Sequence, residues 1–193
     1  MRLLVALFCV LAICAGPRVL AQEPTPAPTE APPADPHTYD DAAMHFQAPA
    51  DFKLLGEHHI QLKDVADPAI VAAWVKQQGD PNERDLYITV EAYSGDASGY
   101  ELTAENAIRN KIDDAFVDHK EQLTTNNGMP AFFMAISYGS GFDARKQYQL
   151  VWSDGQRGVT VALVGPTGEL TEKEARAVLL TNVTAVLYPP GRE

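Results

Sequence analysis

The chain has 193 residues, with 15 basic and 26 acidic side chains and a formal net charge of −11. That excess, with no basic cluster larger than Arg145–Lys146, argues against nucleic acid or an anionic membrane surface as a partner, since both need grouped Lys or Arg. Its only two cysteines, Cys9 and Cys14, fall near the start.

Met1 and Arg2 lead into the apolar run LLVALFCVLAICAG, which is shorter than the roughly 20 residues a membrane span requires. The run ends in GPRVLAQ, where Val19 and Ala21 give the small-residue pattern of a signal-peptidase site. Residues 1–21 therefore read as a secretory signal, and the chain as exported, periplasmic or secreted. Lipid attachment at Cys14 is the rival reading, disfavoured because bulky Ile13 precedes the cysteine where a small residue is wanted. Cleavage of 21 residues from 193 would leave 172, and loss of Arg2 and Arg18 would leave 13 basic against 26 acidic, a net −13. That mature chain would have no cysteine, hence no disulfide, thiolate nucleophile or Cys-bound zinc. No transmembrane segment and no cofactor is expected in it. It is long enough to hold together by burial alone.

Residues 22–37 form an acidic, proline-rich stretch, QEPTPAPTEAPPADPH, without a large apolar side chain. Such a segment cannot bury enough surface to fold and stays extended. It reads as a tether, with a ligand for a proline-recognising groove as the alternative. Residues 38–193 read as one globular domain.

Within that domain, MHFQAP and FKLL are two short strands around a turn at Pro49–Asp51. Ala69–Gln77 is a nearly unbroken apolar run, and Leu86–Tyr93 alternates apolar with polar. These two should pair as an antiparallel hairpin. The period then lengthens: Ala104, Ala107, Ile108, Ile112, Ala115 and Phe116 make one helical stripe, with Thr103 as its N-cap. Three further strands follow, KEQLTT, PAFFMAISY and KQYQLVWS, the first two joined through Asn127–Gly128, which tolerate positive φ. A turn at SDGQRG leads into VTVALVG. Finally LTEKEARAVLLTNVTAVL reads as a helix, with Thr171 and Glu174 as a capping box. Strands that arrive as hairpins do not build a parallel wound sheet. The expected fold is α+β, a single antiparallel sheet of about six to eight strands flanked by helices.

Two stretches carry a resemblance. HFQAPADFKLL resembles the opening of the PsbP-like superfamily, an aromatic-x-x-Pro strand, a turn and a second short strand. NNGMPAFFMAISY, RKQYQLVWSDGQRGVTVALVGP and LTEKEARAVLLTNVTAV resemble its second half, a Gly-x-Pro-Ala hairpin, two meander strands joined by Asp-Gly and a closing helix. The resemblance spans roughly residues 44–188 and rests on hairpin and packing signatures. It implies a PsbP-like α/β sandwich. The superfamily contains accessory subunits of the photosynthetic oxygen-evolving complex and exported bacterial proteins of the DcrB type, with no shared catalytic motif to carry over. The resemblance thus implies an exported accessory or binding domain of the cell envelope rather than an enzyme, its partner an envelope protein or a small ligand.

The residues themselves offer little chemistry. Gly139-Ser140-Gly141 lacks the Gly-x-Ser-x-Gly pattern of a nucleophile elbow and reads as a hairpin tip. Asp113–Asp114 reads as a solvated helix face. Asn182-Val183-Thr184 has the form of a glycosylation sequon but falls within the last expected helix. The densest group is Glu57-His58-His59. In extended chain the two histidines point to opposite sides, so only Glu57 and His59 share a face. With His45 across a hairpin they form the alternative reading, a metal site of Glu57, His59 and His45. The aromatic residues read mainly as packing. Tyr87 and Tyr93 lie on the more polar face of their strand, and that face is the candidate binding surface wherever no helix covers it.

Overall fold

The computed structural model describes residues 35–40, 44–57, 68–125, 128–181 and 186–187. These residues include ten strands and two α-helices: β1 (Thr38–Asp40), β2 (Met44–Gln47), β3 (Lys53–Glu57), β4 (Ala69–Lys76), β5 (Arg84–Ala92), α1 (Ala97–Lys111), β6 (Phe116–Thr124), β7 (Pro130–Tyr138), β8 (Arg145–Ser153), β9 (Arg157–Pro166), α2 (Glu172–Arg176) and β10 (Val186–Leu187). Seven strands form one antiparallel sheet in the order β3-β4-β5-β9-β8-β7-β6, and β1-β2-β10 form a second, small one. The α+β expectation holds. The β4–β5 hairpin forms with Trp74 opposite Leu86, because the clean alternation along β5 buries Arg84, Leu86, Ile88 and Val90 on one side.

The strand order determines where α1 lies. β5 sits mid-sheet and β6 at the far edge, and the chain returns through the meander β6-β7-β8-β9 to pair with β5. The connection from β5 to β6 must therefore cross one face of the sheet, and α1 is that connection. It packs on β7, β8 and β9 through Tyr100 and Ala104, which meet Met134, Ile136 and Val151. The opposite face carries the main core. There Leu86, Ile88, Phe133, Trp152, Val161 and Leu163 pack with Phe46, Leu170, Ala175 and Leu179. Phe46 stacks on Trp74 at 5.3 Å between ring centroids. The Trp74 indole N–H donates to the Pro36 carbonyl at 2.9 Å, so residues just before β1 join the folded unit.

Three expectations change. First, α1 begins at Ala97, not after Thr103: Asp96 is its cap, and its carboxylate accepts from the Gly99 N–H. Thr103 lies inside the helix, where its hydroxyl donates to the Gly99 carbonyl. The helix ends at Lys111, and Asp114 takes positive φ (59°) in the turn that follows, a conformation Asp tolerates better than most residues. Phe116 consequently starts β6 and is exposed rather than buried on the helix.

Second, the closing helix is short. After Thr171 accepts from the Glu174 N–H there is one turn, Glu172–Arg176, and a wider π-helical turn, Ala177–Thr181. Val186–Leu187 is a strand paired with His45 and Met44 of β2. Edge pairing overrides the helical period here, in a stretch whose Val183, Thr184 and Val186 are β-branched and favour strand.

Third, β2 and β3 do not form a hairpin with each other, since they belong to different sheets. The β7–β8 connection is the expected tip. Gly139 and Gly141 take positive φ around a 3-10 turn, Gly141–Asp143, and Phe142 stands fully exposed on it.

Candidate functional site

Because α1 crosses toward the β6 edge, it leaves the β5 end of the same sheet face partly open. Between the helix and β5 runs a groove of about 200 Å³. One wall is aliphatic, from Ala104, Ala107, Ile108 and Ile112 of α1 and the turn after it. The other side and the floor come from strands: Tyr87 and Thr89 of β5, Gln147 and Gln149 of β8, and Thr160 of β9. The register explains this set. Tyr87 lies opposite Ala162 and Thr89 opposite Thr160, while Ala162 lies opposite Gln149. All therefore share the face away from the main core.

The floor is a buried polar chain. The Tyr87 hydroxyl donates to Gln147 Oε1 at 3.3 Å. Gln147 Nε2 donates to Gln149 Oε1 at 2.8 Å, and Gln149 Nε2 donates to Met134 Sδ at 3.4 Å. Beside it the hydroxyls of Tyr100 and Thr160 share a bond of 3.3 Å. Burial pushes the phenols of Tyr87 and Tyr100 well above their usual value; near Tyr87 the charges of Tyr138 and Asp85 add to the effect. Both therefore stay protonated at neutral pH and serve as hydrogen-bonding groups rather than as bases. One anion and one cation also line the groove, Glu91, which bonds the Tyr100 hydroxyl, and Lys111.

Of the two tyrosines singled out by strand alternation, Tyr87 lines this groove. Tyr93 instead packs on Tyr100, with ring centroids 5.1 Å apart, and steadies the start of α1. Gln147, Gln149 and Thr160 escaped notice in the sequence, although a signal was there. Two glutamines at i and i+2 in the otherwise apolar QYQLVW fall on one face of a strand, and buried amides are unusual enough to mark it.

The metal reading fares differently. His45 lies on β2, where its Nδ1 stands 3.6 Å from Asp40 Oδ2, and it pairs across the small sheet with Asp40 and Val186. Glu57 ends β3 in the other sheet. His58 and His59 lie outside the described residues, as do Asn127 and the Asn182–Thr184 sequon. Among the described residues no three His, Cys, Asp or Glu side chains gather closely enough to hold an ion. Among them, too, no helix is long and apolar enough to cross a membrane.

In sequence, no family model and no curated protein matches the chain. Solved structures do match in shape. The solution structure of cyanobacterial PsbP (CyanoP) from Synechocystis sp. PCC 6803 superposes with a TM-score of 0.54 at 13% identity, covering 85% of this chain and 100% of that one. LpqN of Mycobacterium tuberculosis, described as involved in cell envelope biogenesis, gives 0.53 at 16% identity over 76% and 87%. PA94 of Pseudomonas aeruginosa, a protein of unknown function, gives 0.51 at 14% identity over 72% and 98%. The chain has the PsbP-like fold that its hairpin signatures imply.

Proposed function

From a chain with the PsbP-like fold, we propose an exported, non-enzymatic binding domain that serves as an accessory component of the bacterial cell envelope and holds its ligand, or a partner's side chain, in the groove between α1 and β5. One observation carries the reading: a helix that covers only part of a sheet face, leaving buried amides and hydroxyls at the bottom of an open, aliphatic-walled cleft. Small-molecule sites are commonly of this form, mostly apolar with a few convergent polar groups. Among the described residues the groove offers no nucleophile beside a base, and its tyrosines hold their protons, which supports recognition as its chemistry. The signal-like start, the proline-rich tether and the likeness to an envelope-biogenesis protein support the envelope setting.

The test is capture from cells. The full chain, expressed with its own leader and recovered from envelope extract, should carry a defined partner or small adduct by native mass spectrometry. Ala107→Trp, which fills the groove from the helix side, should lose it while keeping the same circular dichroism. Equal capture by both proteins, or none by either, would overturn the reading.

A further inference from the structure

The groove's own hydrogen-bond inventory narrows what it can hold. Gln147 and Gln149 are almost completely buried, 4% and 1% exposed, and each side-chain amide has two N–H donors. Gln147 uses one on Gln149 Oε1. Gln149 uses one on Met134 Sδ at 3.4 Å, and a thioether is a weak acceptor. Among the described residues the second N–H of each amide has no protein acceptor. Buried donors without acceptors are costly, and these line an open groove. A guest that brings oxygen acceptors relieves that cost.

Charge decides between anionic and neutral guests. Among the described residues the charged side chains lining the groove are Glu91 and Lys111, one of each sign, and the rest of the lining is neutral. Stripping water from an ion to set it on such a floor is unfavourable without an opposite charge in contact, and a chain of net charge −11 repels anions at long range. Size sets the last limit: about 200 Å³ lies below the range of roughly 300 Å³ and upward typical of drug-sized ligands.

We infer that the groove takes a small uncharged molecule whose carbonyl or hydroxyl oxygen accepts from the Gln147 and Gln149 amides while its apolar body lies on Ala107 and Ile108. This deepens the binding reading above and rests on it.

Three probes of one shape and different charge test it: benzamide, benzoate and benzylamine, titrated into the uniformly ¹⁵N-labelled chain. Benzamide should give saturable shifts at the Gln147 and Gln149 side-chain NH₂ resonances and at the backbone amides of Tyr87, Ile108 and Thr160. Benzoate and benzylamine should bind at least tenfold more weakly. Gln149→Met, similar in length and flexibility and seated beside Met134, should weaken benzamide tenfold or more. Ala107→Trp, which leaves the floor unchanged, should abolish the shifts, so the result does not depend on one buried variant folding. Tighter binding of either ion, or benzamide shifts indifferent to both substitutions, would overturn the inference. Silence from all three probes would overturn it too, and would leave the envelope-capture reading to its own test.

Discussion

The ring of Tyr100 occupies the space that a β-carbon on Gly158 would need. This contact seats the first turns of α1 on the sheet, and the groove exists because α1 is held there and not over β5. The Tyr100 hydroxyl then reaches Thr160 on the groove floor, so one side chain links helix placement to site chemistry. Gly99, on the helix itself, is constrained likewise by the hydroxyl of Tyr93.

Gly158→Ala should accordingly destabilise the chain by about 1–3 kcal/mol, the usual cost of overpacking a fitted contact, and should shift the backbone amides of α1. Gly168→Ala is the control, since its β-carbon would meet nothing within 4 Å, and it should stay within about 0.5 kcal/mol of the parent. Urea denaturation of the three proteins measures both. Equal midpoints for parent and Gly158→Ala would show that Tyr100 is free to move.

The two possible caps of α1 make opposite forecasts. Asp96 accepts from the Gly99 N–H at 2.8 Å, so Asp96→Ala should cost about 0.5–2 kcal/mol and raise amide exchange in residues 97–100. Thr103→Ala removes only a bond to the carbonyl one turn back and should be close to neutral. A larger loss from Thr103→Ala would reinstate the helix start that the sequence alone suggested.

Acid should weaken the fold. Lys120 and Arg109 hydrogen-bond Glu105 and hold its carboxyl below the ordinary 4.5. Burial would raise Asp118 and Asp154, but the bonds from Lys146 and Ser137 to the first, and from Gln156 and Arg157 to the second, outweigh it and leave both below 3.8. A depressed carboxylate contributes stability above its unfolded value and loses it as pH falls through the folded one. Asp85 works against the trend, because burial raises it. With Glu121 also held down by its bond from Arg176, four groups stand against one, so the urea midpoint should hold near neutrality and drop steadily below about pH 4.5. A midpoint that rises on acidification would mean these pairs do not form in solution.

Alkali gives a second, independent slope. Burial raises the phenols of Tyr87, Tyr100, Tyr138 and Tyr148. Their contribution is complete below the unfolded value of 10 and declines as pH climbs from there toward the folded values. Ultraviolet titration should therefore show four of the seven tyrosines ionising late or only on unfolding. Seven phenols titrating together near 10 would contradict a buried groove floor.

The sheet was the legible part of this molecule. Alternation along Leu86–Tyr93 and the Asp-Gly turn at Asp154–Gly155 fix hairpins locally, and strands β5, β8 and β9 follow directly from them. The misread elements were those whose state depends on distant partners. Val186–Leu187 has a helical period and becomes strand because β2 offers a free edge. The start of α1 hides in SGDASGYEL, where two glycines suggest a loop until Tyr93 claims the space their side chains would fill. Half of the candidate surface could be read from strand alternation, since Tyr87 lies in the groove. Gln147 and Gln149 stand out only as two amides on one strand face, and their place beside Tyr87, like that of Thr160, comes from the β5–β9–β8 register.

The most direct test compares two exposed lysines on opposite sides of the sheet. Lys111 stands at the rim of the groove, whereas Lys173 lies on α2, which packs against the main core face. A photocrosslinking amino acid placed at each position, in the full chain expressed in its own cells, should yield a discrete adduct from position 111 and none from position 173. An adduct from 173 alone, the same adduct from both, or none from 111 would contradict the groove as the binding face.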